Sequence, residues 1–177
     1  MKKILIHISL IVVFVVIYLL QTIFFSHFTI AGIMPNIFII LMLYIGLYMG
    51  RTIGIIYGIT YGIFLDMWVG KSIGLTSIAL AIIGLISGMF DKTLSKDNRM
   101  TVLLMGIVCT VIYETVLYLL QYMAFAINIE IVSFIKILLI EVVYNMLLII
   151  ILYPILDKTG YEIEEEIKGN RILTKYF

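Results

Sequence analysis

Five polar side chains interrupt the long apolar stretches of this 177-residue chain, and their types are the ones that could do chemistry. A carboxylate at membrane depth is expensive, so it must face a partner or a wet cavity. Counted from the end of each stretch that is expected to face the cytoplasm, four of them lie about 20–25 Å up, in the outer half of a membrane. The five are Gln21, Asp66, Glu114 and Glu141, with Asn145 one turn below Glu141.

Two interpretations of this polar set stay open. In the first, the side chains share a polar pocket for a ligand or for a side chain of a partner. In the second, each side chain bonds locally inside a helix bundle, or Gln21 and Glu141 lie near enough to the outer interface to be wet. The apolar stretches that hold these three carboxyl groups contain no Lys or Arg, so the negative charge of the carboxylates is not balanced. Protonation of one of them would reduce that charge.

No other grouping of residue types in the sequence suggests reactivity. Gly70-Lys71-Ser72 has the ending of a phosphate-binding loop, but Leu65 stands where the first glycine is required. His7 and His27 lie near opposite membrane faces and cannot share a metal, and Cys109 is the only cysteine. No serine, cysteine or histidine pairs a nucleophile with a base. The sequence therefore predicts no catalytic residue, no metal and no cofactor.

The composition indicates a membrane protein. Hydrophobic residues make up 63% of the chain, and a soluble domain cannot hide that much apolar surface. The net charge of +1 gives no general attraction to nucleic acid. The sequence thus predicts an all-α integral membrane protein that lies in the lipid bilayer and binds no nucleic acid.

The apolar stretches predict a compact bundle of six transmembrane helices. A first span over 4–25 is long enough, at about 1.5 Å per residue, to cross a hydrocarbon core of roughly 30 Å. One helix over 37–69 would be too long for a single span, so the chain must turn near Gly50 and Arg51. Pro35 suits the opening turn of the second span. The second span is expected to end near Met49, and the third, fourth and fifth spans are expected to cover 52–69, 73–90 and 100–125. The sixth span is expected to follow the connection 126–136 and to end near Pro154.

Lysine and arginine set the predicted orientation. With the N-terminus in the cytoplasm, ten of the twelve basic residues lie on that side, and Lys71 and Lys136 lie outside. This bias satisfies the positive-inside rule and places both termini in the cytoplasm. The chain then divides into a transmembrane domain, 1–156, and a polar cytoplasmic tail, 157–177. Within that tail, 161–168 is expected to be a short surface helix or to be disordered.

Small residues recur at every fourth position through the second and third spans. Glycines at i and i+4 let two helices approach closely in lipid, where little hydrophobic force drives them together. Asp66 takes the place where a glycine would continue the row, and we expect it to bond to the turn at 70–74. The predicted helix-packing positions are Gly46, Gly50, Gly54, Gly58, Gly62 and Gly74, with Gly84 and Gly88 in the fourth span.

The pair Pro35-Asn36, the ladder GLYMGRTIGIIYGITYGIFLD and the following GKSIG resemble the MreD family of rod shape-determining proteins. The similarity in span number and length covers the whole chain, whereas the motif covers the second to fourth spans. The resemblance implies a non-enzymatic scaffold or regulator of lateral wall elongation in the bacterial inner membrane. The partners that it implies are MreC, the actin-like MreB, RodA and a class B penicillin-binding protein.

A second resemblance gives an alternative function. The small size, the six spans and the glycine-rich style are similar to the substrate-binding S components of energy-coupling-factor vitamin transporters, which implies an S-component-like fold. Those proteins usually carry alanines at four-residue spacing in the first span, where they dock the coupling subunit. Residues 4–25 contain no alanine and no glycine, which counts against the transporter alternative.

Overall fold

The computed structural model describes residues 2–69, 73–93, 98–125 and 130–169, and this part of the chain is mainly helical. The first helix ends in one π-helical turn, Leu20–Phe24. In the described residues the β-type pairing is limited to an isolated bridge between Ile30 and Ile33. The helices are α1 (Lys2–Leu19), α2 (Ile37–Met49), α3 (Arg51–Val69), α4 (Leu75–Thr93), α5 (Arg99–Phe125) and α6 (Ile131–Lys168).

Three helices are long and apolar enough to cross a membrane by their length and composition. They are α1 together with its π-helical turn, α5 and α6. The helix α2 and the segment Leu75–Phe90 of α4 are also apolar but shorter. An all-helical architecture with this much apolar helix surface belongs to a membrane protein, because only the bilayer solvates such surfaces.

The centre of the bundle is α2. All of its residues, Ile37–Met49, are buried, as expected for a helix that is apolar on every side. The helix α4 packs along both α2 and α3, and α5 and α6 also contact α2. The hydrophobic core therefore follows α2, where Met42 and Ile45 have no exposed surface.

The chain turns at Gly50, where the length of the apolar stretch predicts a turn. Gly50 has a φ of +89°, a backbone conformation that favours glycine. Its N–H donates to the carbonyl of Gly46 at 3.0 Å and so closes the last turn of α2. The helix α3 begins at the next residue and returns along the bundle.

Pro35 lies outside α2, which corrects the prediction that it opens the second helix. The helix begins at Ile37, and Asn36 precedes it in a non-helical conformation with φ −110° and ψ 89°. The side chain of Asn145 accepts a hydrogen bond from the Asn36 N–H at 2.9 Å. This contact with α6 gives the Asn36 N–H a partner outside the helix, which starts at the next residue.

The sixth helix is longer than the sequence predicts. We expected a span ending near Pro154 and a polar tail after it, but α6 continues to Lys168. Proline removes one helical hydrogen bond and clashes with the preceding turn, which usually ends or kinks a helix. At 38 residues α6 is about 57 Å long, well beyond a hydrocarbon core of roughly 30 Å.

Tertiary contacts hold this continuation of α6 against the bundle. Gly160 packs against the ring of Tyr48, in a space that leaves no room for a side chain at position 160. The hydroxyl oxygens of Tyr44 and Thr159 are 2.9 Å apart. The segment 161–168 is therefore neither disordered nor a separate surface helix. It is the end of α6, and only 170–177 of the expected tail lies outside the described residues.

The helix α1 is the most loosely packed of the six. Leu10 and Phe14 are its buried residues. A cavity of about 550 Å³ separates it from α2 and α6, and one of about 290 Å³ separates it from α3. Its attachments include a hydrogen bond of 3.0 Å from the Tyr61 hydroxyl to the Leu10 carbonyl. At its start, Lys2 Nζ donates to Glu166 at 2.6 Å.

Candidate functional site

Small residues bring the backbones of α3 and α4 into contact. A β-carbon added to Gly54 would lie 2.5 Å from the carbonyl oxygen of Gly84, a distance that real side chains do not adopt. Later residues of α3 meet earlier residues of α4, so the two helices run antiparallel. Each contact needs the absence of a side chain on α3, as the four-residue row predicts. The facing pairs are Gly54 with Gly84, Gly58 with Ala81, and Gly62 with Ser77.

Two serines of α4 add hydrogen bonds to these contacts. Ser77 Oγ donates to the carbonyl of Ile59 in α3 at 3.0 Å. Ser87 Oγ lies 3.2 Å from the carbonyl of Met42 in α2, and Gly46 leaves the space that this hydroxyl occupies. Hydrogen bonds of this kind between helices stabilise bundles in lipid. One face of α4 thus joins α2 and α3 into a single unit.

Two of the predicted packing glycines have a different role. Among the described residues, a β-carbon on Gly50 or Gly74 would meet no atom within 4 Å, so neither lies in a helix contact there. Their φ values are +89° and +108°, which place them in the conformation that glycine adopts at turns. The packing prediction is wrong for these two positions because four-residue spacing continues through helix ends. In contrast, Gly88 closely contacts the backbone of Arg51.

Asp66 holds the start of α4. The residue is 5% exposed, and its Oδ2 accepts hydrogen bonds from the N–H groups of Gly74 at 2.8 Å and Ser77 at 3.3 Å. Its Oδ1 accepts from Thr76 N–H at 3.2 Å. The first N–H groups of a helix lack helical partners, and the helix dipole favours an anion there. The expected bond to the turn is confirmed at Gly74, and 70–72 lies outside the described residues.

Gln21 and Asn145 fix the segment that leads into α2. Gln21, in the π-helical turn, donates through Nε2 to the carbonyl of Pro35 and accepts through Oε1 from Ile37 N–H at 3.3 Å. Asn145 accepts from Asn36 N–H at 2.9 Å. These amides would otherwise lack partners at the start of a helix. The helices α1 and α6 therefore both hold the first residues of α2.

Glu114 on α5 and Glu141 on α6 meet inside the bundle. Glu141 is 5% exposed, and its Oε1 has no hydrogen-bond partner among the described residues. Asn145, one turn further along α6, donates through Nδ2 to Thr110 Oγ1 at 3.1 Å. Asn36 adds a second unpartnered buried oxygen, its Oδ1. We call Asn36, Glu114, Glu141 and Asn145 the polar cluster.

The structure joins only part of the predicted polar set. Glu114, Glu141 and Asn145 lie in the polar cluster, and Gln21 is linked to it through the backbone around Asn36. Asp66 uses both of its oxygens to cap α4. Gln21 and Asp66 therefore have local hydrogen-bond partners, as the second interpretation predicts. The interpretation as a shared pocket now applies only to the polar cluster.

Sequence reasoning missed four buried contributors, Ser77, Ser87, Thr110 and Tyr113. Tyr113 lies beside Asn36 and so completes the wall of the polar cluster on α5. The four-residue spacing of Ser77 and Ala81 is the signal that could have identified the α4 face. Tyr113 carries no comparable signal, because a tyrosine in an apolar helix is typical of ordinary packing.

Within the ranges that the structure describes, no group of three or more His, Cys, Asp or Glu side chains is placed to hold a metal ion. The two larger cavities, on either side of α1, are lined almost entirely by apolar side chains. The carboxyl groups buried in the described residues are those of Glu141 in the polar cluster, Asp66 at the α4 cap and Glu164 near the end of α6.

These features define a small polytopic α-helical membrane protein whose inner helices pack through glycine and serine. Comparison with known protein families identifies the family within this class. The family described as rod shape-determining protein MreD matches residues 1–159, most of the chain. The chain belongs to the MreD family, whose members are membrane proteins that determine rod shape. No curated protein and no solved structure matches it.

Proposed function

We propose that this protein is a non-enzymatic scaffold of the machinery that elongates the lateral wall of rod-shaped bacteria. The observation that carries the proposal is the division of the bundle into two parts. Glycine and serine contacts bind α2, α3 and α4 closely together. Outside this unit, α1, α5 and α6 carry many exposed large apolar residues, which suit contacts with lipid and with the membrane segments of partners.

The proposed partners are MreC, the actin-like MreB, RodA and a class B penicillin-binding protein. Family membership supports them, because a protein that determines rod shape has to act on the proteins that build the wall. The scaffold role fits a chain in which the buried Asp66 caps a helix and the buried Glu141 lies beside Glu114. The elongation complex would supply the enzymes, and this protein would supply their arrangement in the membrane.

Depletion and capture test the scaffold role. Removal of the protein from a rod-shaped host should turn the cells round, and the wild-type chain expressed from a plasmid should restore rods. Purification in a mild detergent should retain MreC and RodA. Gly58→Leu, at the α3–α4 contact, should lose both the restoration of rod shape and the retention of MreC and RodA. The matched variant Thr60→Leu, on the exposed side of α3, should keep both. Rods that persist after depletion would contradict the proposal.

We also propose that six segments cross the bacterial inner membrane, in an S-component-like arrangement with both termini in the cytoplasm. Residues 1–156 would form the membrane domain and 157–177 the cytoplasmic part. Ten of twelve basic residues on one side support this orientation. Cysteines introduced near 95 and 170, in a Cys109→Ala background, should resist an impermeant label, whereas those near 30 and 130 should react. Labelling at 170 in intact cells would contradict the topology.

The vitamin-transporter alternative has no observation in its favour among the described residues. It requires a substrate that stays bound during purification, and mass spectrometry of the purified protein can detect one. We expect no stoichiometric vitamin. Finding one, together with an uptake defect after depletion, would replace the scaffold proposal.

A further inference from the structure

The polar cluster contains more hydrogen-bond acceptors than donors. Two carboxyl groups, Glu114 and Glu141, meet there, and the Asn145 amide is already bonded to Thr110 and to the backbone of Asn36. Within the described part of the chain, Glu141 Oε1 and Asn36 Oδ1 are buried and have no hydrogen-bond partner. Both unpartnered atoms are oxygens, so the group that would satisfy them must donate hydrogen bonds.

In the described residues of α5 and α6, no lysine or arginine lies within one helical turn of Glu114 or Glu141. In the part of the chain that the structure describes, the nearest lysine along α6 is Lys136, five residues before Glu141. Five residues turn a helix by about 140°, and Lys136 is exposed, so it points away from the pair. Carboxyl groups at this depth are costly unless something pairs with them. A cationic donor would satisfy both the charge and the oxygens.

We propose that the polar cluster binds the ammonium group of a lysine carried by a membrane segment of a partner protein. Charge complementarity selects this occupant, because a lysine buried in lipid needs an acidic partner as much as the two glutamates need a cation. Glu114 is partly exposed while Glu141 is 5% exposed, so the partner's lysine would reach the pair through Glu114. The inference rests on the proposed scaffold function and names the chemistry of one contact.

The depth of the pair specifies the probe. Glu141 is ten residues into α6 and Glu114 is eleven residues before the end of α5, so both lie about 15 Å from the outer helix ends. The probe is a leucine-rich peptide of about 22 residues with one lysine about 10 residues from its outer end. Its affinity for the purified protein is measured by energy transfer in phosphatidylethanolamine–phosphatidylglycerol vesicles. Peptides with leucine or acetyl-lysine at that position are compared.

We expect the lysine peptide to bind about tenfold more tightly than either neutral peptide. Glu114→Gln and Glu141→Gln should remove this preference, because glutamine keeps the shape and the hydrogen bonds but not the charge. Glu130→Gln, at an exposed acidic residue before α6, is the matched control and should keep the preference. Should the glutamine variants fail to fold, the acetyl-lysine comparison on the wild-type protein still decides the question.

Equal affinity for the lysine and acetyl-lysine peptides would overturn the inference, and so would a failure of all three peptides to bind. Such a result is what a neutral pair of carboxyl groups sharing one proton would give. Loss of the lysine preference while MreC and RodA still co-purify would overturn this inference alone. Loss of those partners while the lysine preference remains would instead overturn the scaffold proposal.

Discussion

The carboxylate of Asp66, near the end of α3, accepts a hydrogen bond of 2.8 Å from the N–H of Gly74, the residue before α4. The same side chain also accepts hydrogen bonds from two amides in the first turn of α4. Asp66 therefore links α3 to the start of the helix against which α3 packs. The α3–α4 pair is held both along its length, by small residues, and at one end, by this cap.

Replacement of Asp66 should destabilise the protein in proportion to the number of amides left without an acceptor. We expect Asp66→Leu to lower the free energy of unfolding by at least about 2 kcal/mol, because buried N–H groups without partners cost about 1–3 kcal/mol each. Asp66→Asn retains one accepting oxygen and should cost about 1 kcal/mol. The measurement is thermal or denaturant unfolding in detergent.

The matched control for Asp66 is Thr76→Ala, since Thr76 contributes its backbone N–H, and not its side chain, to the cap. Its effect should remain within about 0.5 kcal/mol. An Asp66→Leu variant as stable as the wild type would mean that the cap adds nothing to the fold.

The α3–α4 interface should not tolerate large side chains. Gly58→Leu places a side chain where a β-carbon would already lie 2.6 Å from the Ala81 Cα, so the helices must separate. Overpacking of this kind costs about 1–3 kcal/mol or more. Unfolding of the purified variant in detergent measures the loss. Thr60→Leu, on the exposed side of the same helix, should be near neutral, and equal stability of the two variants would place the interface elsewhere.

The row of glycines was readable from the sequence because close helix contact requires a fixed spacing of small residues. The same spacing misassigned Gly50 and Gly74, since it cannot distinguish a helix contact from a helix end. The continuation of α6 past Pro154 depends on Tyr48, a residue more than a hundred positions away, so no local pattern predicts it. The sequence also does not predict that Glu114 lies beside Glu141, because this depends on which faces of α5 and α6 oppose each other.

The continuation of α6 should detach when position 160 acquires a large side chain. Gly160→Leu would collide with the ring of Tyr48, which occupies the space beside the glycine. We expect trypsin to cut this variant faster at Lys158 and Lys168, because a segment released from the bundle is open to proteolysis. Glu162→Leu, on the exposed face two residues later, is the control. Unchanged cleavage of Gly160→Leu would show that the contact does not hold the segment.

Loss of the Asn145 amide should loosen the start of α2. Asn145→Leu removes the acceptor for Asn36 N–H and the donor to Thr110. Unpartnered buried groups of this kind cost about 1–3 kcal/mol each. Hydrogen exchange at Asn36, followed by mass spectrometry, should become faster than in the wild type. Val143→Leu, which is exposed on the same helix, should leave that exchange unchanged.

The ion pair between Lys2 and Glu166 joins residues 164 positions apart. Ribosomes add about 5–20 residues per second, so roughly 10–30 s separate the synthesis of these two residues. During that interval α1 is in the membrane without α6, the helix that forms one wall of its cavity. The final closure of the bundle therefore has to wait until α6 has been synthesised. Until then, the apolar face of α1 is available to lipid or to any insertion factor that accompanies the growing chain.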